Sequence, residues 1–132
     1  MKQIVLAIVC SFSMIGMSQS TDLTSQLYDT YENYKEISIG KRRIKRADIQ
    51  HLIDKYASNE KYKVATVGKS IGGKDLSLIS IGSGRTNVFL WSQMHGDEPT
   101  ATQAIFDILN FFNSSDFKVE KEAILANLTV HF

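Results

Sequence analysis

Apolar residues return at Leu23, Leu27, Tyr31 and Tyr34 with polar residues between them, a spacing that predicts a first helix. A second helix is expected over residues 46–58, where Ile49, Leu52, Ile53 and Tyr56 form one apolar face and Ser58-Asn59 ends it. The period then shortens to two. Tyr62, Val64 and Thr66-Val67 alternate, residues 68–73 supply a glycine-containing turn, and Leu76, Leu78, Ile79 and Ile81 follow as a second strand. Together these segments predict a hairpin. After the turn Gly82-Ser83-Gly84, the continuous apolar run Val88-Phe89-Leu90-Trp91 reads as a buried strand. Residues 100–112 read as an amphipathic helix with Ala101, Ala104, Ile105, Ile108, Leu109 and Phe112 on its core face. Asn113-Ser114-Ser115 closes it, and a short helical turn around residues 122–126 leads into a final strand at 128–132. Strand–helix–strand order predicts an α/β fold, a sheet with helical cover.

Composition changes this picture little. The chain has 132 residues, 43% hydrophobic and 22% charged, which gives ordinary globular material for one core. A formal net charge of +1 points to no nucleic acid and no anionic surface as partner. The basic run Lys41-Arg42-Arg43-Ile44-Lys45-Arg46 has no interleaved aromatics and reads as a solvated face.

The first residues, MKQIVLAIVCSFSMIGMSQS, matter more. Lys2, an apolar centre over 4–17 and small polar residues at 18–20 read as a secretory signal peptide, which predicts an exported, periplasmic or extracellular, product. Ser11, Ser13 and Gly16 break the apolar centre, which is short for a bilayer span, so no membrane association is expected after cleavage. The one cysteine, Cys10, lies inside the signal, leaving residues 21–132 without disulfide or thiol chemistry. A strand that reaches the last residue with no polar tail leads to a further expectation. Residues 21–132 read as the N-terminal part of a larger domain, with apolar surface left on 88–91 and an open sheet edge at 128–132.

The chemistry concentrates in residues 91–103, WSQMHGDEPTATQ. A purely structural reading is available: Gly96 supplies backbone freedom, Asp97 and Glu98 suit the positive end of a helix, and Pro99 fits a first helical turn. The chemical reading makes His95 and Glu98 half of a metal site. Zinc takes nitrogen and oxygen ligands, and a catalytic site keeps one position for water. Two ligands three residues apart can share one ion if the backbone turns sharply between them, as Gly96 allows. An ion held there would activate water as a nucleophile and polarise a substrate carbonyl.

Alone, His-x-x-Glu is an unspecific pattern. The apolar run before it and the amphipathic helix after it favour the chemical reading. His51 points away from its helix's apolar stripe and reads as a surface residue, and His131 reads as a sheet histidine. The segment GKSIGGK fails as a phosphate loop, because Asp75 stands where a hydroxyl residue is required and would repel phosphate.

The segment GKSIGGKDL at 68–76, the strand at 88–91 and HGDEPT at 95–100 occur in that order, and the combination resembles the zinc carboxypeptidases of the M14 family. The resemblance covers about residues 45–132. It implies a mixed-sheet, zinc carboxypeptidase-like α/β domain with helices on both faces. It also implies His95 and Glu98 as ligands of Zn2+, Glu98 through both carboxylate oxygens, and a peptide as substrate. The family's third zinc ligand, its residues for the substrate carboxylate and its general-base glutamate have no counterpart in residues 21–132, so no catalytic residue is assigned. Asp97 stands where many digestive members carry arginine, and that substrate contact is not transferred.

Two other functions share the pattern. One is a zinc deacylase of the aspartoacylase and succinylglutamate desuccinylase kind, which the export signal and the 68–76 hairpin disfavour. The other is a binding module that keeps the fold without the chemistry. Side-chain preference and oligomeric state are not legible in the sequence.

Overall fold

Residues 22–132 are described by a computed structural model, and they divide after Glu32 into two units, residues 22–32 and residues 33–132. The signal peptide read at residues 1–20 lies outside the described residues. In the first unit the Asp22 carboxylate accepts the Thr24 N–H at 3.3 Å and so starts helix α1, Leu23–Thr30. None of its side chains is buried. The helical spacing runs on past Thr30 in the sequence, but the backbone tightens there into a 3-10 turn, Tyr31–Tyr34.

The second unit begins with a short 3-10 turn, Ile37–Ile39, and irregular chain after it, pinned by Ile39 and Ile44, both buried. Helix α2, Arg46–Ala57, follows, and the Asp48 carboxylate accepts the Lys45 backbone N–H at 2.8 Å at its start. That bond and the nearby Lys41 ammonium hold the Asp48 carboxyl below its ordinary range. Leu52, Ile53 and Tyr56 are buried and His51 is exposed, the two sides that the spacing predicts.

Strands β1, Lys63–Lys69, and β2, Asp75–Gly82, pair antiparallel as the expected hairpin. The register slips between Thr66 and Gly68, which places Gly68 at a bulge inside β1 rather than in the turn. The turn itself spans residues 70–74: the Ser70 N–H donates to the Lys74 carbonyl at 2.8 Å, and Gly73 takes a φ of +71°. Lys69 and Asp75 close the hairpin mouth at 2.7 Å. A strand, not a helix, follows these glycines, so the segment has hairpin and not phosphate-loop geometry.

The remaining elements are β3, Thr86–Phe89; α3, Thr100–Asn113; α4, Lys118–Asn127; and β4, Leu128–His131. The four strands make one mixed sheet in the order β1-β2-β4-β3, with β4 antiparallel to β2 and parallel to β3. The last strand is therefore interior. The edge expected at 128–132 belongs instead to β3, because β4 inserts between β2 and β3 and satisfies both sides of its backbone.

Alternation along the strands sends Val64, Ile79, Ile81, Val88 and Val130 to one face. There they meet Leu52, Ile53 and Tyr56 of α2, Phe106 and Leu109 of α3, and Leu125 of α4. The opposite face carries Ala65, Ser80, Asn87, Thr129 and His131, half-buried or exposed. Among residues 33–132 the described helices thus cover one face, where both were expected. The α/β class and the mixed sheet stand.

Two helices differ from their sequence patterns. Helix α3 starts and ends where expected, yet it buries Thr102, Phe106, Asp107 and Leu109, while Ala101, Ala104 and Ile108 are exposed. Apolar residues surround most of this helix, so the pattern alone does not choose its face. Bulk decides: Phe106 stacks on Tyr56 at 6.4 Å between ring centroids, and Asp107 accepts the Glu36 N–H at 2.6 Å, which makes its burial tolerable.

Helix α4 is longer than the turn expected at 122–126. Phe117, in the left-handed region at φ +50°, precedes it, and Lys121 lies buried in it. The Lys121 ammonium donates to the Phe111 carbonyl at 3.0 Å and the Ser114 carbonyl at 2.7 Å, neutralising the carbonyl end of α3. Burial pushes the Lys121 pKa down, and Asp116 opposes that shift. The turn between β2 and β3 runs so close to the α4–β4 junction that a Cβ on Gly84 would overlap the Asn127 backbone.

Candidate metal site at His95 and Glu98

Strand β3 ends at Phe89, so the predicted strand through Trp91 is shorter than its apolar run, and it is not buried. Phe89, Leu90 and Trp91 are exposed: Phe89 stands opposite His131 on the sheet face that the described helices leave uncovered, and Leu90 and Trp91 lie beyond the end of β3. Of the apolar surface expected on 88–91, residues 89–91 are exposed and Val88 packs on the core. Residues 90–99 then run as irregular chain to Pro99, which precedes the first residue of α3 and accepts the Gln103 N–H at 3.0 Å.

Four hydrogen bonds fix this segment. The Leu90 N–H donates to the His131 carbonyl at 2.8 Å, and the Thr102 hydroxyl donates to Ser92 Oγ at 2.9 Å. The Gln93 side-chain amide donates to the Ile44 carbonyl at 3.1 Å, and the Glu98 N–H donates to the His95 carbonyl at 3.2 Å. That last bond makes residues 95–98 a β-turn, which returns the chain on itself in four residues.

The turn brings the predicted pair together: His95 Nδ1 and Glu98 Oε1 stand 3.1 Å apart. Their side chains are 70% and 65% exposed, so neither is desolvated by the protein. Sequence reasoning located the residues but not their support. The apolar run before the pair and the helix after it do not carry the two side chains themselves. In the structure His95 lies beyond the strand and Glu98 before the helix, both on the turn. The unusual backbone is also elsewhere. Gly96 has no positive φ and open space around it, whereas Gln93 takes φ +56° while its side chain anchors to Ile44. A non-glycine residue held there costs roughly 1 kcal/mol, which the anchoring bond offsets. Glutamine carries no sequence signal for that conformation.

A shared ion is compatible with the donor set. Two ligands each about 2.1 Å from one zinc at a tetrahedral angle are roughly 3.4 Å apart. The observed 3.1 Å between an imidazole nitrogen and a carboxylate oxygen lies a few tenths below that. It also suits a direct hydrogen bond between the two side chains. Among the described residues no group of three or more His, Cys, Asp or Glu side chains converges as a metal cage.

His131 occupies the sheet, as read. Its Nδ1 stands 2.8 Å from Ser80 Oγ on β2 and its Nε2 2.9 Å from Asn87 Oδ1 on β3, so both ring nitrogens are engaged across three strands. The spacing of single strands does not show such a cross-strand contact, which depends on β4 lying between β2 and β3. The basic residues Lys41, Arg42, Arg43 and Lys45 are exposed, while Arg46 turns inward to the Asp75 carbonyl at 2.7 Å and Ser77 Oγ at 2.9 Å. No described helix is long and apolar enough to cross a membrane. No family model, curated protein or solved structure matches the chain.

Proposed function

We propose that His95 and Glu98 are two ligands of a zinc ion in an exported metallocarboxypeptidase, the reading carried by their 3.1 Å approach on one turn. Both donors reach open solvent, so an ion and a peptide carbonyl have access to the same side of the turn. Zinc bound there supplies Lewis acidity and activated water to peptide hydrolysis. The chain's own contribution is to hold an imidazole and a carboxylate convergent and to set the turn against α3 through Thr102 and Ser92.

A catalytic zinc shell takes three protein ligands, and two hold the metal far more weakly. Residues 20–132 alone are therefore expected to be inactive on peptides, and a gene product that supplies a third ligand and a general base is expected to release C-terminal residues. Zinc titration of residues 20–132, followed through the His95 ring resonances, tests the first half. Selective shifts lost in Glu98→Ala are expected, and a wild-type ring untouched by zinc would refute the pair. Release of C-terminal residues from blocked dipeptides by a gene product that supplies those further groups, abolished by chelator and restored by zinc, tests the second. Activity indifferent to chelator would overturn the metallopeptidase reading.

A further inference from the structure

A cleft of about 340 Å³ opens between the start of α2, the turn end of the hairpin and the first turns of α3. That volume is within the range of small-molecule sites, about 300–1,000 Å³. Its walls are mostly apolar, with Ile49 and Ile53 on one side, Ile105 and Phe106 on another, and Trp91 at the rim. Arg46 is the cation that lines it.

Among the described residues the guanidinium hydrogen-bonds to neutral acceptors: the Asp75 carbonyl at 2.7 Å, Ser77 Oγ at 2.9 Å and Gln50 Oε1 at 3.1 Å. Five N–H donors are available on an arginine, so two have no partner in these bonds. The neighbouring carboxylate, Asp75, pairs with Lys69 at 2.7 Å, and that lysine, with a smaller contribution from Arg46, holds its carboxyl below the ordinary range. Arg46, Lys69 and Asp75 together therefore carry one uncompensated positive charge beside an apolar cleft.

We propose that this cleft binds a small amphipathic carboxylate, its hydrocarbon or aromatic tail among the isoleucines and its carboxylate on the free N–H groups of Arg46. A planar guanidinium with two unused donors matches a carboxylate in geometry as well as charge. The site is independent of any metal at His95 and Glu98, because none of the cleft's interactions involves either residue.

Trp91 is the single tryptophan of the chain, so its emission reports on the cleft directly. The test titrates the purified chain, in chelator, with 3-phenylpropionate and with 3-phenylpropionamide, which share a tail and differ in charge. A saturable change in Trp91 emission is expected for the acid, with affinity roughly tenfold or more above that for the amide, the usual worth of a charge-assisted hydrogen bond. Arg46→Gln should remove that preference. Should that variant not fold, Arg46→Lys keeps the charge and should keep a reduced preference, and rising salt should weaken the wild-type response to the acid alone. Equal binding of acid and amide, an acid affinity indifferent to salt, or no saturable response to the acid would each overturn the proposal. Chelator removes zinc from every arm, so loss of the metal reading would leave this outcome unchanged.

Discussion

Leu109 is fully closed to solvent, whereas the His95 side chain is 70% exposed, and the two belong to the same unit of the chain. Around Leu109 the sheet and helices exclude water, and polar groups there are internally paired. The Tyr62 hydroxyl donates to the Leu109 carbonyl at 3.1 Å, and among the described residues no buried side-chain polar atom lacks a partner. Around His95 the chain is irregular, and a few hydrogen bonds to neighbouring segments hold it. Stability therefore resides on the helix-covered face of the sheet, and the candidate chemistry resides on a turn that contributes little to it.

The strongest way to break that division is to cut into the covered face. Leu109→Ala should cost about 3–4 kcal/mol of unfolding free energy, because a sealed site loses its transfer free energy and retains a cavity. Urea unfolding followed by far-UV circular dichroism measures it. A loss under 1 kcal/mol would mean that this face is not the stabilising core.

A second substitution tests the tight turn. Gly84→Ala would drive a methyl group into the Asn127 backbone and should cost roughly 2–3 kcal/mol by the same measurement. Near-wild-type stability would show that the β2–β3 turn does not rest on the α4–β4 junction.

Alkali should act on the covered face and leave the turn out of account. Burial pushes the Tyr62 hydroxyl up to about 12 and raises that of Tyr56 further. The folded chain then keeps protons that the unfolded chain loses, so this stability is full below pH 10 and is lost as pH rises through about 12. For Tyr62 the loss is roughly 2 kcal/mol. Urea midpoints measured from pH 9 to 12 should fall in parallel for the wild type and for His95→Ala. A flat wild-type profile would contradict the burial of both hydroxyls.

The smallest effect is expected at the turn. His95→Ala and Glu98→Ala should each change stability by about 0.5 kcal/mol or less, as exposed positions generally do. Thermal melts in chelator measure this, and a larger loss would give the pair a structural role that its exposure does not suggest.

Much of this division was legible in the chain. The apolar face of α2 and the hairpin follow from local periodicity, because each is set by residues near one another in sequence. The spacing of His95 and Glu98 likewise sufficed for convergence, since a four-residue turn leaves their side chains few other arrangements. Apolar content misled at residues 89–91, where Phe89 faces the side of the sheet that the described helices leave uncovered and Trp91 lies beyond the strand, neither of which shows in a single segment. Polar content misled at Lys121, which is buried because the carbonyl end of α3 receives its charge.

The sequence by itself determined the α/β class, the order and type of the main elements, and the pairing of an imidazole with a carboxylate on one short segment. These depend on side-chain period and turn chemistry over a few residues. Tertiary structure alone decided that β4 enters between β2 and β3, that α3 buries Phe106 and Asp107 rather than Ala104 and Ile108, and that Gln93 carries the left-handed backbone. Those outcomes depend on contacts between residues distant in the chain, where bulk and hydrogen-bond satisfaction select among faces that local periodicity leaves equivalent.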